Sequence, residues 1–112
     1  MNASHYTYKI EWSEEDEEYV GTVLEFPGLS WLDESPIEAL NGIQQVTQEC
    51  VEDMVKRGEE PPVPFSEKHY SGKFMVRVTP HAHRMLAEEA AEQGVSLNRI
   101  ASQKLERPLV AI

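Results

Sequence analysis

Several things are scarce in this chain of 112 residues, and each scarcity excludes something. Cys50 is the one cysteine, so neither an internal disulfide nor a cysteine-built zinc site is available. No apolar run approaches the ~18–20 residues of a membrane helix. The start, Met1-Asn2-Ala3-Ser4-His5, lacks the basic stretch and apolar core of a secretory signal. A reducing, cytoplasmic location without membrane attachment is therefore expected. Bases are scarce too: 10 against 20 acids, a formal charge of −10, which taken whole argues against a nucleic-acid binder.

The deficit of bases is local. Residues 1–65 hold 15 acids and 3 bases (−12), whereas residues 66–112 hold 5 acids and 7 bases (+2). Such asymmetry points to two modules with different partners. Gly58-Glu59-Glu60-Pro61-Pro62-Val63-Pro64 lies at the switch, and its prolines bar a helix. The expected organisation is a domain over 1–65, a linker over 66–71 and a second module over 72–112. The whole proline-containing stretch 58–71 reads as flexible and open to proteases.

The first module alternates like a sheet. Tyr6, Tyr8, Ile10 and Trp12 share one side of a first strand. The acidic turn Glu14-Glu15-Asp16-Glu17-Glu18 follows. Tyr19–Phe26 forms a second strand, with Val20, Leu24 and Phe26 on one face, and Leu29–Leu32 a short third. Ser35-Pro36-Ile37-Glu38 has the residues of a capping box with proline at its first helical position. Leu40, Ile43, Thr47, Cys50, Val51 and Met54 then hold one helical face up to Lys56-Arg57-Gly58. The expected fold class is α+β: an antiparallel meander with one long helix across it.

The second module reads as strand, helix, turn, helix. Phe74, Val76 and Val78 alternate with Lys73, Met75, Arg77 and Thr79. A helix runs from Pro80 to about Gln93 with Ala82, Met85, Leu86 and Ala90 inward, Gly94 stops it, and Ser96 caps another that ends at Arg107-Pro108. A segment of this size rarely stands alone, and its one strand has no mate within the chain. A two-fold dimer pairing residues 73–79 of two chains supplies the mate. The outward face then carries Lys73, Met75 and Arg77 twice, a two-stranded ribbon of the width the DNA major groove admits. Ser96, Leu97 and Asn98 open a helix whose free N–H groups can clamp phosphate, and Arg99, Lys104 and Arg107 add charge.

Lys73-Phe-Met-Val-Arg-Val-Thr, the helix, Gly94-Val-Ser-Leu-Asn and the second helix resemble the ribbon-helix-helix fold of the Arc and MetJ repressors. By that resemblance Lys73, Met75 and Arg77 read bases, and Ser96, Leu97 and Asn98 clamp the backbone. Tyr8-Lys-Ile, the acidic turn, Tyr19-Val-Gly, Glu25-Phe-Pro-Gly-Leu and Ser35-Pro-Ile-Glu-Ala-Leu resemble the N-terminal domain of the HicB antitoxins, a partial RNase H-like fold. Some of those antitoxins carry a ribbon-helix-helix module after a proline-containing linker. Gly28-Leu-Ser-Trp-Leu-Asp is shorter here than in many members, so the toxin-facing loop is expected to differ. The resemblance implies an antitoxin of a type II toxin–antitoxin system. It would bind a small RNA-cleaving HicA-like toxin, and would repress its own operon as a homodimer or higher oligomer on operator DNA. Under it, Glu14, Glu15, Asp16, Glu17, Glu18 and Trp31 are candidate toxin contacts. A ribbon-helix-helix regulator with a ligand-sensing first half is the other reading.

No enzyme is expected, and no cofactor, metal or catalytic residue. RNase H chemistry needs carboxylates converging on two metal ions. Glu11 and Glu25 on neighbouring strands, and Glu49, Glu52 and Asp53 on the polar side of the helix, do not read as such a set. His81 and His83, two residues apart on a helix, point ~200° apart and read as surface residues. Cys50, on the apolar stripe, reads as a core thiol. Trp12 and Trp31 read as core, or as interface anchors if exposed.

Overall fold

The computed structural model describes residues 2–110, without the side chains of Pro108 and Val110. It is an α+β chain of two compact units, Met1–Ser71 and Gly72–Ile112. Each is taken by itself.

In the first unit, β1 (Tyr8–Ser13), β2 (Glu18–Val23) and β3 (Ser30–Asp33) form an antiparallel sheet in the order β1-β2-β3. Tyr8 faces Val23, Ile10 faces Gly21 and Trp12 faces Tyr19. Gly21 in turn faces Trp31, and Tyr19 faces Asp33. Because side chains alternate along a strand, these residues share one face, and α1 (Pro36–Lys56) lies across it. The inner side of β2 is thus Tyr19, Gly21 and Val23. Val20 and Leu24 fall on the other side, and Leu24 is exposed. This corrects the expectation from hydropathy, which groups Val20, Leu24 and Phe26 as the apolar face. Gly21, which has no hydropathy signal, decides the matter: a β-carbon there would stand 2.9 Å from the Ala39 carbonyl and 3.0 Å from Ile43. Helix α1 approaches because β2 has no side chain at this point.

Helix α1 begins where its capping residues demand. The Ser35 side chain accepts from the Glu38 N–H, and Pro36 occupies the first turn. Ala39, Gly42, Ile43, Thr47 and Val51 are buried, and Leu40, Cys50 and Met54 half-buried. Thr47 is satisfied by donating its hydroxyl to the Ile43 carbonyl at 2.7 Å. Cys50 therefore lies at the rim of the core. Ahead of β1, a 3₁₀ turn at Ala3–His5 puts Ala3 and Tyr6 into the core beside Val23, Ile43 and Val51.

The proline-containing stretch is held to the first unit. Pro61 and Pro64 are buried. Tyr6 donates its hydroxyl to the Pro62 carbonyl at 2.8 Å. The Glu25 carboxylate accepts from the Thr7 N–H at 2.9 Å, the Thr7 hydroxyl at 3.1 Å and the Phe65 N–H at 3.0 Å. A 3₁₀ turn at Phe65–Glu67 follows. There Ser66 donates to the His5 carbonyl at 3.1 Å, and His5 pairs with Glu67. Residues 58–67 thus form a docked strap where the proline run suggests a flexible joiner. Proline rings, useless to a helix, fill a groove at no cost in N–H groups.

In the second unit, α2 (Pro80–Gln93) starts at Thr79, whose hydroxyl accepts from the Ala82 N–H at 3.1 Å, and ends at Gly94 with φ 68°. α3 (Leu97–Val110) starts at Ser96, whose hydroxyl accepts from the Arg99 N–H at 3.0 Å. It runs on past Pro108, beyond the end expected at Arg107-Pro108. A proline in a last turn removes one backbone bond and leaves the rest. Residues 73–79 form no strand within the single chain, where the alternation calls for a mate from a second one. A ladder needs a second chain segment to exchange hydrogen bonds with, and none of the described residues supplies one. Ala90 and Ile100 are the buried apolar residues of this unit among those described. Of the apolar tail at 109–112, Leu109 is exposed at the end of α3, and Ala111 and Ile112 lie outside the described residues.

Candidate functional site

Two surfaces carry the candidate residues, one in each unit. In the first unit, Glu14–Glu17 form the turn that joins β1 to β2, and all four are exposed. Glu17 has φ 53°, a left-handed conformation that a residue with a β-carbon adopts at a cost of about 1 kcal/mol. Ser13 and Asp16 pin the turn: the Ser13 hydroxyl donates to Asp16 at 2.8 Å and accepts from the Asp16 N–H at 3.2 Å. Glu18 is half-buried at the start of β2. The turn therefore presents Glu14, Glu15 and Glu17 outward, with Asp16 engaged in holding its shape.

Trp12 stands beside this turn. Its indole N–H donates to Glu14 at 2.7 Å, and its ring meets Tyr19 edge-on with centroids 5.1 Å apart. It is 49% exposed, and Trp31 is 41% exposed. Trp31 sits one register row further in, opposite Gly21. Neither tryptophan is core. Both tryptophans therefore meet the condition under which the sequence reads them as interface anchors, and Trp31 is also among the candidate toxin contacts. The spacing Trp12-Ser13-Glu14 at the end of an alternating strand is the signal available for Trp12.

Glu25, singled out as a strand carboxylate, lies beyond the end of β2 and is engaged by the strap. Partial burial pushes its carboxyl pKa up. The N–H groups of Phe65 and Thr7 and the Thr7 hydroxyl more than offset this, so it lies below the ordinary carboxylate value. Glu11, Glu49, Glu52 and Asp53 are exposed at other points of the sheet and helix. Among the described residues no three acidic, histidine or cysteine side chains are grouped as metal ligands would be. His81 and His83 are exposed at the start of α2.

In the second unit, Lys73, Met75 and Arg77 are exposed, and so are the alternating Phe74, Val76 and Val78, at 77%, 53% and 52%. Val76 and Val78 border an apolar groove of about 310 Å³ closed by Leu86, Leu97, Ala101 and Leu105. At the α3 start, Ser96 and Asn98 are exposed and Leu97 half-buried. Lys73, Met75 and Arg77 are brought onto one segment, as the alternation requires, and Ser96–Asn98 onto one helix start. Of the bases on α3, Lys104 is taken up by Glu89 at 3.1 Å, while Arg99 and Arg107 are exposed. No helix among the described residues is long and apolar enough to cross a membrane.

These surfaces define a class: an α+β chain of two compact units whose candidate residues lie on open faces. The HicB family model matches residues 52–105, just under half of the chain. Over that segment the chain is similar to the HicB family. The match begins in the last turns of α1 and takes in the strap and most of the second unit, so it lies largely outside the meander whose motifs carry the sequence resemblance. Comparison with curated proteins finds no match, and neither does comparison with solved structures.

Proposed function

We propose that this chain is a HicB-family antitoxin that acts by binding rather than by catalysis. Its first unit, a partial RNase H-like meander and helix, would cover a small RNA-cleaving toxin. Its second unit, a ribbon-helix-helix module, would dimerise through residues 73–79 and repress the operon. The family match over 52–105 carries this reading. Two features of the second unit support it. Phe74, Val76 and Val78 are exposed, and Val76 and Val78 border an apolar groove, as expected of a strand awaiting a mate. Lys73, Met75 and Arg77 alternate with them, and lysine or arginine on a two-stranded ribbon can reach guanine edges in the major groove. The roles are separable because the units are compact by themselves.

Co-expression with the product of a neighbouring small reading frame tests the reading. The neighbour should arrest growth alone, and should co-purify harmlessly with this chain. Arg77→Ala should abolish operator retardation, with at least a tenfold loss of affinity, and leave neutralisation intact. Unchanged DNA affinity in that variant would remove the ribbon assignment. A harmless neighbour that does not co-purify would remove the antitoxin.

A further inference from the structure

We propose that the hairpin end of the sheet is a docking surface for an arginine-bearing segment of a basic protein, received by the exposed faces of Trp12 and Trp31. The inference rests on the antitoxin reading and names the chemistry of its contact.

The two rings are exposed yet fixed. Trp12 is braced by the edge of Tyr19 and by its bond to Glu14. Trp31 is seated on α1 at Gly42, where a β-carbon would stand 2.2 Å from the indole. A glycine inside a helix costs about 1 kcal/mol against alanine, and here it admits a ring that stays 41% exposed. Rings held this way lose little freedom when a partner arrives, which is what makes tryptophan an effective anchor. In the register, Trp12 faces Tyr19, and Trp31 lies two strands away and one row in. Neighbouring strands are ~4.8 Å apart, so the two edges of this face are ~10 Å apart.

Charge selects the occupant. From residue 10 to residue 55, through all of the sheet but Tyr8 and Lys9 and through nearly all of α1, there are 13 acids and no lysine, arginine or histidine. The Glu14 carboxylate already touches the edge of the Trp12 ring system. Nucleic acid and a second copy of this unit are repelled by such a field. A guanidinium is suited to it twice over: it stacks on an indole face and forks to a carboxylate, whereas an ammonium is a point charge.

These are the only tryptophans in the chain, so tryptophan emission, excited selectively beyond the tyrosine band, reports on this surface alone. The full chain should be titrated with nona-arginine and with nona-lysine, following emission and, by calorimetry, affinity. Nona-arginine should shift the emission and bind at least fivefold tighter than nona-lysine. Trp12→Ala should weaken it about tenfold. Glu15→Lys, on the exposed turn where the fold is not at risk, should weaken it severalfold. Equal affinity for both peptides with unmoved emission, or wild-type affinity in both variants, would overturn the proposal. Capture of the neighbouring small basic protein separates this surface from the antitoxin reading. If wild type and Trp12→Ala capture it alike, the antitoxin reading survives and this surface falls. If wild type captures nothing while nona-arginine binds in a tryptophan-dependent way, the surface stands and the antitoxin reading falls.

Discussion

Single residues carry unequal weight in this chain. Glu25 holds three donors from two distant stretches, Thr7 and Phe65. Removing its charge weakens all three bonds, so Glu25→Gln should cost about 1 kcal/mol, the low end for bonds to a charged group because solvent reaches the carboxylate. The pH dependence has a definite sign. The folded-state pKa is depressed below the ordinary value of 4.5, so this contribution is fully present above that value and is lost as pH falls through the lower, folded one. Urea midpoints compared at pH 7 and in the acid range should fall more steeply for wild type than for Glu25→Gln. Gly42 is the second such residue. An alanine would ordinarily strengthen the helix by about 1 kcal/mol, yet its β-carbon would strike Trp31. Gly42→Ala should therefore destabilise, by about 1–3 kcal/mol as overpacked sites do. A double-mutant cycle with Trp31→Ala should return most of that loss.

At the scale of elements, end signals are legible in the sequence and faces less so. Ser35, Gly94 and Ser96 mark helix ends in the sequence and serve as caps in the structure, because capping is a local matter of one side chain and a turn of backbone. Gly94 sits at φ 68°, so Gly94→Ala should cost about 1 kcal/mol and shift the thermal midpoint of the second unit downward in circular dichroism. The inner face of β2 is hidden from hydropathy because its central member is a glycine, whose role depends on what approaches it. The strap is hidden for a related reason. Proline runs tell where a helix cannot be, and only the Tyr6 hydroxyl and the Glu25 carboxylate, from more than 35 residues away in sequence, tell where the run is held. The candidate partner residues are legible as a charged turn and an alternating segment, whereas the bracing of Trp12 by Tyr19 needs the register.

For the whole molecule, the two units differ in how complete they are. The first has a sheet covered by a helix and closed by its strap, while among the described residues of the second only Ala90 and Ile100 are buried apolar side chains. If residues 73–79 pair between chains, the melting temperature of the second unit should rise with protein concentration. That of the first should stay constant, and sedimentation should show the chain as at least a dimer at micromolar concentration. A concentration-independent midpoint would leave the exposed valines unexplained. The unladdered run Phe74–Val78 has a further consequence. An unpaired run of aromatic and β-branched residues is a template on which like chains can pair as strands and stack without limit. Lys73 precedes it and Arg77 lies within it, and rows of like charge repeated at each added strand would repel. The same two side chains proposed to read an operator would thus act as gatekeepers against fibre growth, and any variant that trades them for neutral residues gives up colloidal safety together with DNA affinity.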